Sequence, residues 1–206
     1  MPSHNLHTSI SKSASGFTII EVLVVISLSA IIGLATFSFF NDSFRNYLAL
    51  QEDGTAFSDL SLQSQKLASV LRGVTDFVTV NSNDITVYAY FSPQDAYVSQ
   101  VHYYHNIDNT KLMADITPMT ANPPNGTLIT AKKRTYTVVG RLYTPPSSSI
   151  FTYLDSSGNP LTLPISDLLT IKGIKVSLSV PSKGTGVAGY STMSLQVSLR
   201  NRKTNL

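Results

Sequence analysis

The sequence contains no cysteine. That absence excludes disulfides, thiolate catalysis and zinc or iron–sulfur sites built on cysteine, and it leaves the packed core to hold the fold unaided. Charge is also scarce, with 13% of residues Asp, Glu, Lys or Arg, against roughly 25% in ordinary soluble proteins. One apolar run near the start accounts for part of the deficit. The rest reflects a body rich in Ser, Thr, Asn and Tyr, which solvates itself through hydroxyls and amides. A net charge of +3 and an isoelectric point near 9.1 are too mild to argue for nucleic acid by themselves. Missing too are the arrangements that carry catalysis: there is no nucleophile elbow, no phosphate loop and no HExxH. No cofactor is implied. The 206 residues suffice for one globular domain plus a helical anchor.

What is present begins at the N-terminus. Residues 1–15 are small and polar, with Lys12 as a basic residue, and are followed by Gly16, Phe17, Thr18, Ile19, Ile20 and Glu21. Val22 to Phe40 carries no charge, and its only polar residues are Ser27, Ser29, Thr36 and Ser38. From Phe17 to Phe40 the run is long enough to cross a bilayer, which takes about 20 apolar residues. It has no amphipathic period, as expected of a helix that is apolar all round. A cleaved secretory signal fits poorly, because such signals have an apolar stretch of about 7–15 residues followed by a small-x-small cleavage site. An ordinary signal anchor fits the length but not Glu21, an acid one turn into the run. A carboxylate is costly within a bilayer, so its presence there asks for a function and a partner.

The string Gly16-Phe17-Thr18-Ile19-Ile20-Glu21-Val22-Leu23 resembles the class III signal of type IV prepilins and type II secretion pseudopilins. The resemblance implies that a prepilin peptidase cuts after Gly16 on the cytoplasmic side and that Phe17 becomes the N-methylated first residue. Glu21 is then fifth in the mature chain, where it would pair with the Phe17 amine of a neighbouring subunit and set the axial register. Gly16 suits this role because a residue without Cβ lets a membrane-embedded peptidase approach the backbone. Ser13, Ala14 and Ser15 stand where the family usually carries Lys or Arg. The implied partners are the peptidase, other pilin or pseudopilin subunits, the inner-membrane assembly platform and membrane lipid. The implied location is a single pass through the cytoplasmic membrane, then a pilus or pseudopilus.

Helical character continues past the apolar run. Leu50, Phe57, Leu60, Ser64, Leu67 and Leu71 keep a spacing that offers one face to a globular domain, which predicts one helix from Phe17 to about Arg72, capped by Gly73. Gly33 and Gly54 are candidate bends. From Val74 the pattern turns to period two. Val78–Val80 with Ile85–Phe91, and Val98–His105 with Lys111–Thr117, read as two hairpins. Further strands are predicted over Thr135–Leu142, Phe151–Leu154, Ile171–Val180 and Met193–Leu199, with a helical turn at Ser166–Leu169 and a Gly-rich loop at Ser182–Gly189. The expected class is α+β, a long N-terminal helix packed on an antiparallel β-sheet domain, which is the arrangement the resemblance to pilins implies. Its segments are a leader (1–16), a membrane or filament-core helix (17–40), an amphipathic continuation (41–73) and a β-rich domain (74–206).

A second resemblance lies near the C-terminus. Phe151-x-Tyr153, the run Ile171–Leu178 and the ending Ser194 to Arg202 are similar to larger minor pilins and J-type minor pseudopilins. The length also favours a minor subunit, since major pilins are generally shorter. Three residue groups are candidate ligand sites. Lys132-Lys133-Arg134, with Tyr136 and Tyr143 near in sequence, admits a DNA contact, and a solvated, charged strand end is the stronger reading. His102 and His105 fall on opposite faces of a strand, which argues against a shared metal. Asp155 to Asn159 has the composition of a calcium loop but reads better as a turn. The first functional expectation is thus a non-enzymatic minor pilin or pseudopilin subunit. The alternatives are a DNA-uptake or adhesive pilin, and a signal-anchored membrane protein unrelated to pili.

Overall fold

The computed structural model describes residues 16–146, 148–182 and 189–200. The protein is α+β, with one long N-terminal helix followed by antiparallel β-structure. Helix α1 runs Ile19–Arg72, and the strands are β1 (Asp76–Val80), β2 (Ile85–Ala89), β3 (Ser99–His105), β4 (Leu112–Pro118), β5 (Arg134–Val139), β6 (Phe151–Leu154), β7 (Gly173–Pro181) and β8 (Tyr190–Ser198). The chain forms two compact units, Met1–Tyr47 and Leu48–Leu206.

In the first unit the helix is dense in β-branched residues, which would weaken it in water. In lipid the balance reverses, because only a helix satisfies every backbone group within one segment. Two polar residues of the run are satisfied by the helix itself. Ser27 Oγ donates to the Leu23 carbonyl and Thr36 Oγ1 to the Ile32 carbonyl, each at 2.8 Å. The helix passes Gly33 and Gly54 without interruption.

In the second unit α1 buries Leu60, Ser64, Leu67, Ala68, Val70 and Leu71. The predicted face was too long at its N-terminal end, since Leu50 and Phe57 are 58% and 42% exposed. The helix ends in a tight turn, where the Gly73 N–H donates to the Val70 carbonyl (3.0 Å) and the Val74 N–H to the Leu71 carbonyl (3.2 Å). Gly73 takes no left-handed φ, so it closes the helix without using the freedom that makes glycine the usual cap.

The strands form two sheets, a five-stranded sheet in the order β1-β2-β3-β4-β5 and a three-stranded sheet in the order β6-β7-β8, antiparallel throughout. Period-two patterning aims Ile85, Val87 and Ala89 of β2 and Val101 and Tyr103 of β3 inward. They join Leu67 and Leu71 of α1 and Phe151, Tyr153, Ile174, Val176 and Leu178 of the second sheet in one core. The β1–β2 turn ties the sheets together: Tyr153 Oη donates to the Asn81 carbonyl (2.8 Å) and the Phe151 N–H to the Ser82 carbonyl (2.8 Å). Two acids of α1 hold the sheet ends, with Arg141 Nη1 donating to Glu52 Oε1 (2.9 Å) and Ser182 Oγ to Asp53 Oδ2 (2.8 Å). The helical turn expected at Ser166–Leu169 is a 3₁₀ turn at Leu168–Thr170. Most of the predicted Gly-rich loop, 183–188, and Asn201 and Arg202 of the C-terminal resemblance lie outside the described residues.

Candidate functional site

The first turn of α1 is built by Thr18. Its Oγ1 accepts the Glu21 N–H at 3.3 Å, and its carbonyl accepts the Val22 N–H at 3.2 Å. Thr18 is therefore the N-cap and Glu21 the third helical residue, with its carboxylate near the positive end of the helix dipole. Thr18-x-x-Glu21 is also the sequence signature of a capping box. Sequence reasoning treated the threonine only as part of the resemblance and missed this signal.

Ahead of the cap, Gly16 and Phe17 are exposed, Phe17 at 81%. A Cβ at Gly16 would meet nothing within 4 Å. The glycine is thus dispensable for this chain's own packing. Every residue from 17 through 48 is exposed, and no cation among the described residues pairs with Glu21. Helix Ile19–Arg72 is the one helix among the described residues long and apolar enough to cross a membrane, and none of its most apolar stretch is buried within the chain.

The basic triplet does not form one surface. Lys132 is exposed in a 3₁₀ turn, Thr130–Lys132. Lys133 Nζ lies 2.7 Å from Asp115 Oδ2. Asp115 also accepts from Thr135 Oγ1 (2.6 Å) and Tyr104 Oη (3.2 Å). Burial pushes the Asp115 carboxyl up, but the Lys133 and Thr135 bonds outweigh it and hold it below the usual carboxylate range. Burial, and then the charge of Asp115, raises Tyr104 in turn. Arg134 opposes Ile116 across the β4–β5 ladder while Thr135 opposes Asp115, so strand alternation sends Lys133 and Arg134 to opposite faces. Tyr136 stacks on Phe91. Tyr143 instead lies against Tyr190, with ring centres 5.0 Å apart, and is no part of the group.

The remaining candidates are taken up by the fold. His102 Nε2 meets Asp84 Oδ2 at 2.6 Å, whereas His105 Nε2 meets Thr144 Oγ1 at 3.4 Å. Asp155 Oδ1 accepts the Ser157 and Asn159 N–H groups, both at 2.8 Å, around Gly158 at φ +83°. Its carboxylate closes its own turn.

The family model described as the prokaryotic N-terminal methylation motif matches residues 11–37, a span that includes Gly16, Phe17 and Glu21. No curated protein matches the chain.

Proposed function

We propose that this chain is a minor pilin or pseudopilin subunit, cut between Gly16 and Phe17, methylated on Phe17, and assembled into or capping a filament of the type IV pilus or type II secretion kind. One observation carries the reading. A methylation motif opens a helix whose first part, Ile19–Phe40, is apolar on every side apart from Glu21 and four hydroxyl residues, long enough to cross a bilayer, and buries nothing within its own chain. Such a helix needs an apolar environment from outside, first lipid and then the helices of neighbouring subunits. The capped first turn, with exposed Gly16 and Phe17 just ahead of it, leaves the scissile bond accessible to a peptidase. The β-sheet domain lies outside the cytoplasm. The protein serves as a structural subunit rather than an enzyme, with the prepilin peptidase, the assembly platform and other pilins as its partners. Its length and its β6–β8 sheet favour a minor over a major subunit.

The test is the intact mass of the protein from a host with the peptidase and from one without. The expected result is loss of 16 residues and gain of a methyl group only in the first host. A chain that stays unprocessed yet is recovered in sheared filaments would refute the reading.

A further inference from the structure

β5 is the outer strand of the five-stranded sheet, and its inward-facing residues Arg134 and Tyr136 remain exposed where the core runs out. Tyr136 stacks on Phe91 at 5.5 Å with 27° between the ring planes. Lys66 Nζ, from α1, lies 5.1 Å from the centre of the same Phe91 ring. With Tyr97 they line an open cleft of about 700 Å³, within the roughly 300–1,000 Å³ usual for ligand sites. The acid in the cleft, Asp95, has Oδ2 occupied by the Ser92 N–H at 2.8 Å. Among the described residues, neither Lys66 nor Arg134 is in an ion pair.

Three distant parts of the chain thus bring two cations that are in no ion pair, one carboxylate and a set of rings into one groove. The charge asks for an anionic ligand, and the rings ask for flat groups on it. Phe91 is covered by Tyr136 and Lys66, so the most exposed ring in the cleft is Tyr97, at 47%. We propose that the cleft binds a segment of single-stranded nucleic acid, with phosphates on Lys66 and Arg134 and a base against the Tyr97 ring. Single strands present both groups at once. A duplex keeps its bases stacked inside, and an acidic peptide supplies the charge without the rings. This site differs from the contiguous triplet suggested by sequence, because Lys133 is held by Asp115 on the other face and Tyr143 is elsewhere. The inference does not depend on the filament reading, since binding is measured on unassembled protein.

The test uses the full-length protein in non-ionic detergent micelles and a fluorescent oligothymidylate of about 12 nucleotides, followed by anisotropy across a salt series. Two phosphate contacts give a slope of log K against log salt near −1.4, about 0.7 for each. Lys66→Ala and Arg134→Ala should each remove about half of that slope. Tyr97→Ala should weaken binding about tenfold and leave the slope alone. Lys133→Gln loses one charge beside Arg134 but on the opposite face, and should leave the slope unchanged. An abasic phosphodiester of equal length should bind at least about tenfold more weakly than the oligothymidylate. Equal binding of the abasic chain, or an equal effect of Lys133→Gln and Arg134→Ala, would mean diffuse charge attraction and overturn the site. Absence of any binding would overturn it as well.

Discussion

Lys133 Nζ and Asp115 Oδ2 lie 2.7 Å apart, and this contact divides the only basic triplet of the β-domain. Asp115 is almost fully buried, and its bonds come from Lys133, Thr135 and Tyr104. Three strands are joined by one carboxylate, with Tyr104 on β3, Asp115 on β4 and Thr135 on β5. The pair fixes where β5 meets β4 near the sheet edge, and it takes Lys133 out of the inventory of free cations.

The pH dependence follows from the direction of the Asp115 shift. A carboxyl held below its unfolded value, about 3.9, contributes stability that is fully present above that value. The contribution is lost as pH falls through the lower, folded value. The stability of the β-domain should therefore decline as pH drops below about 4. Asp115→Asn should flatten that decline and lower stability at neutral pH by about 1–3 kcal/mol, because hydrogen bonds to a charged acceptor are lost. Denaturant midpoints of parent and variant from neutral to acid pH measure both effects. Parallel curves would show that the carboxylate gains nothing from its donors.

Ser64 presents the opposite case. It is 2% exposed, and its Oγ has no hydrogen-bond partner. An unpaired buried hydroxyl carries a desolvation penalty of about 1–3 kcal/mol, and alanine is the better helix former. Ser64→Ala should stabilise the β-domain by about 1 kcal/mol, read as a rise in the thermal midpoint. A fall would mean that the hydroxyl is satisfied by ordered water.

Gly16→Val separates recognition from folding. The added side chain starts from a Cβ that meets nothing within 4 Å, and the apolar helix is untouched. Membrane insertion should persist while removal of the leader stops. Mass spectrometry of the membrane fraction gives the answer, and normal cleavage of the variant would show that Gly16 is not the residue the peptidase reads.

Much of this architecture was legible because it rests on local signals. The hairpins β1–β2 and β3–β4 show in the sequence as pairs of alternating runs separated by short polar breaks. Strand β6 was found whole at Phe151–Leu154. The division into two sheets was not legible, because it depends on pairings such as Phe151 with Val176 that no local pattern encodes. Leu50 and Phe57 continued the helical spacing beyond the region that packs, since spacing shows which face is apolar and not how far its partner extends. The basic triplet misled for the converse reason. Contiguous residues in a strand diverge, and the cations that converge, Lys66 and Arg134, lie far apart in sequence.

Glu21 offers the sharpest test of assembly. Its backbone N–H is held by Thr18 Oγ1, and that bond survives any side-chain change, so Glu21→Val removes the carboxylate and keeps the cap. The variant should insert normally, and it should still be cleaved, because the scissile bond lies ahead of the capped turn. In isolated membranes it should be at least as stable as the parent, since an acid in an apolar segment is itself unfavourable. Its stabilising interaction with the helix dipole is only about 0.3–1 kcal/mol. In the filament the balance changes. If Glu21 neutralises the Phe17 amine of a neighbour, the variant leaves that amine buried and unpaired, at a cost of several kcal/mol by analogy with broken buried ion pairs, about 3–5 kcal/mol. Incorporation should then fall by at least about a hundredfold, while the membrane pool is unchanged. Quantifying parent and variant in sheared filaments against membranes decides the matter. Equal incorporation would mean that the carboxylate reaches the headgroups and that axial register is set by other contacts.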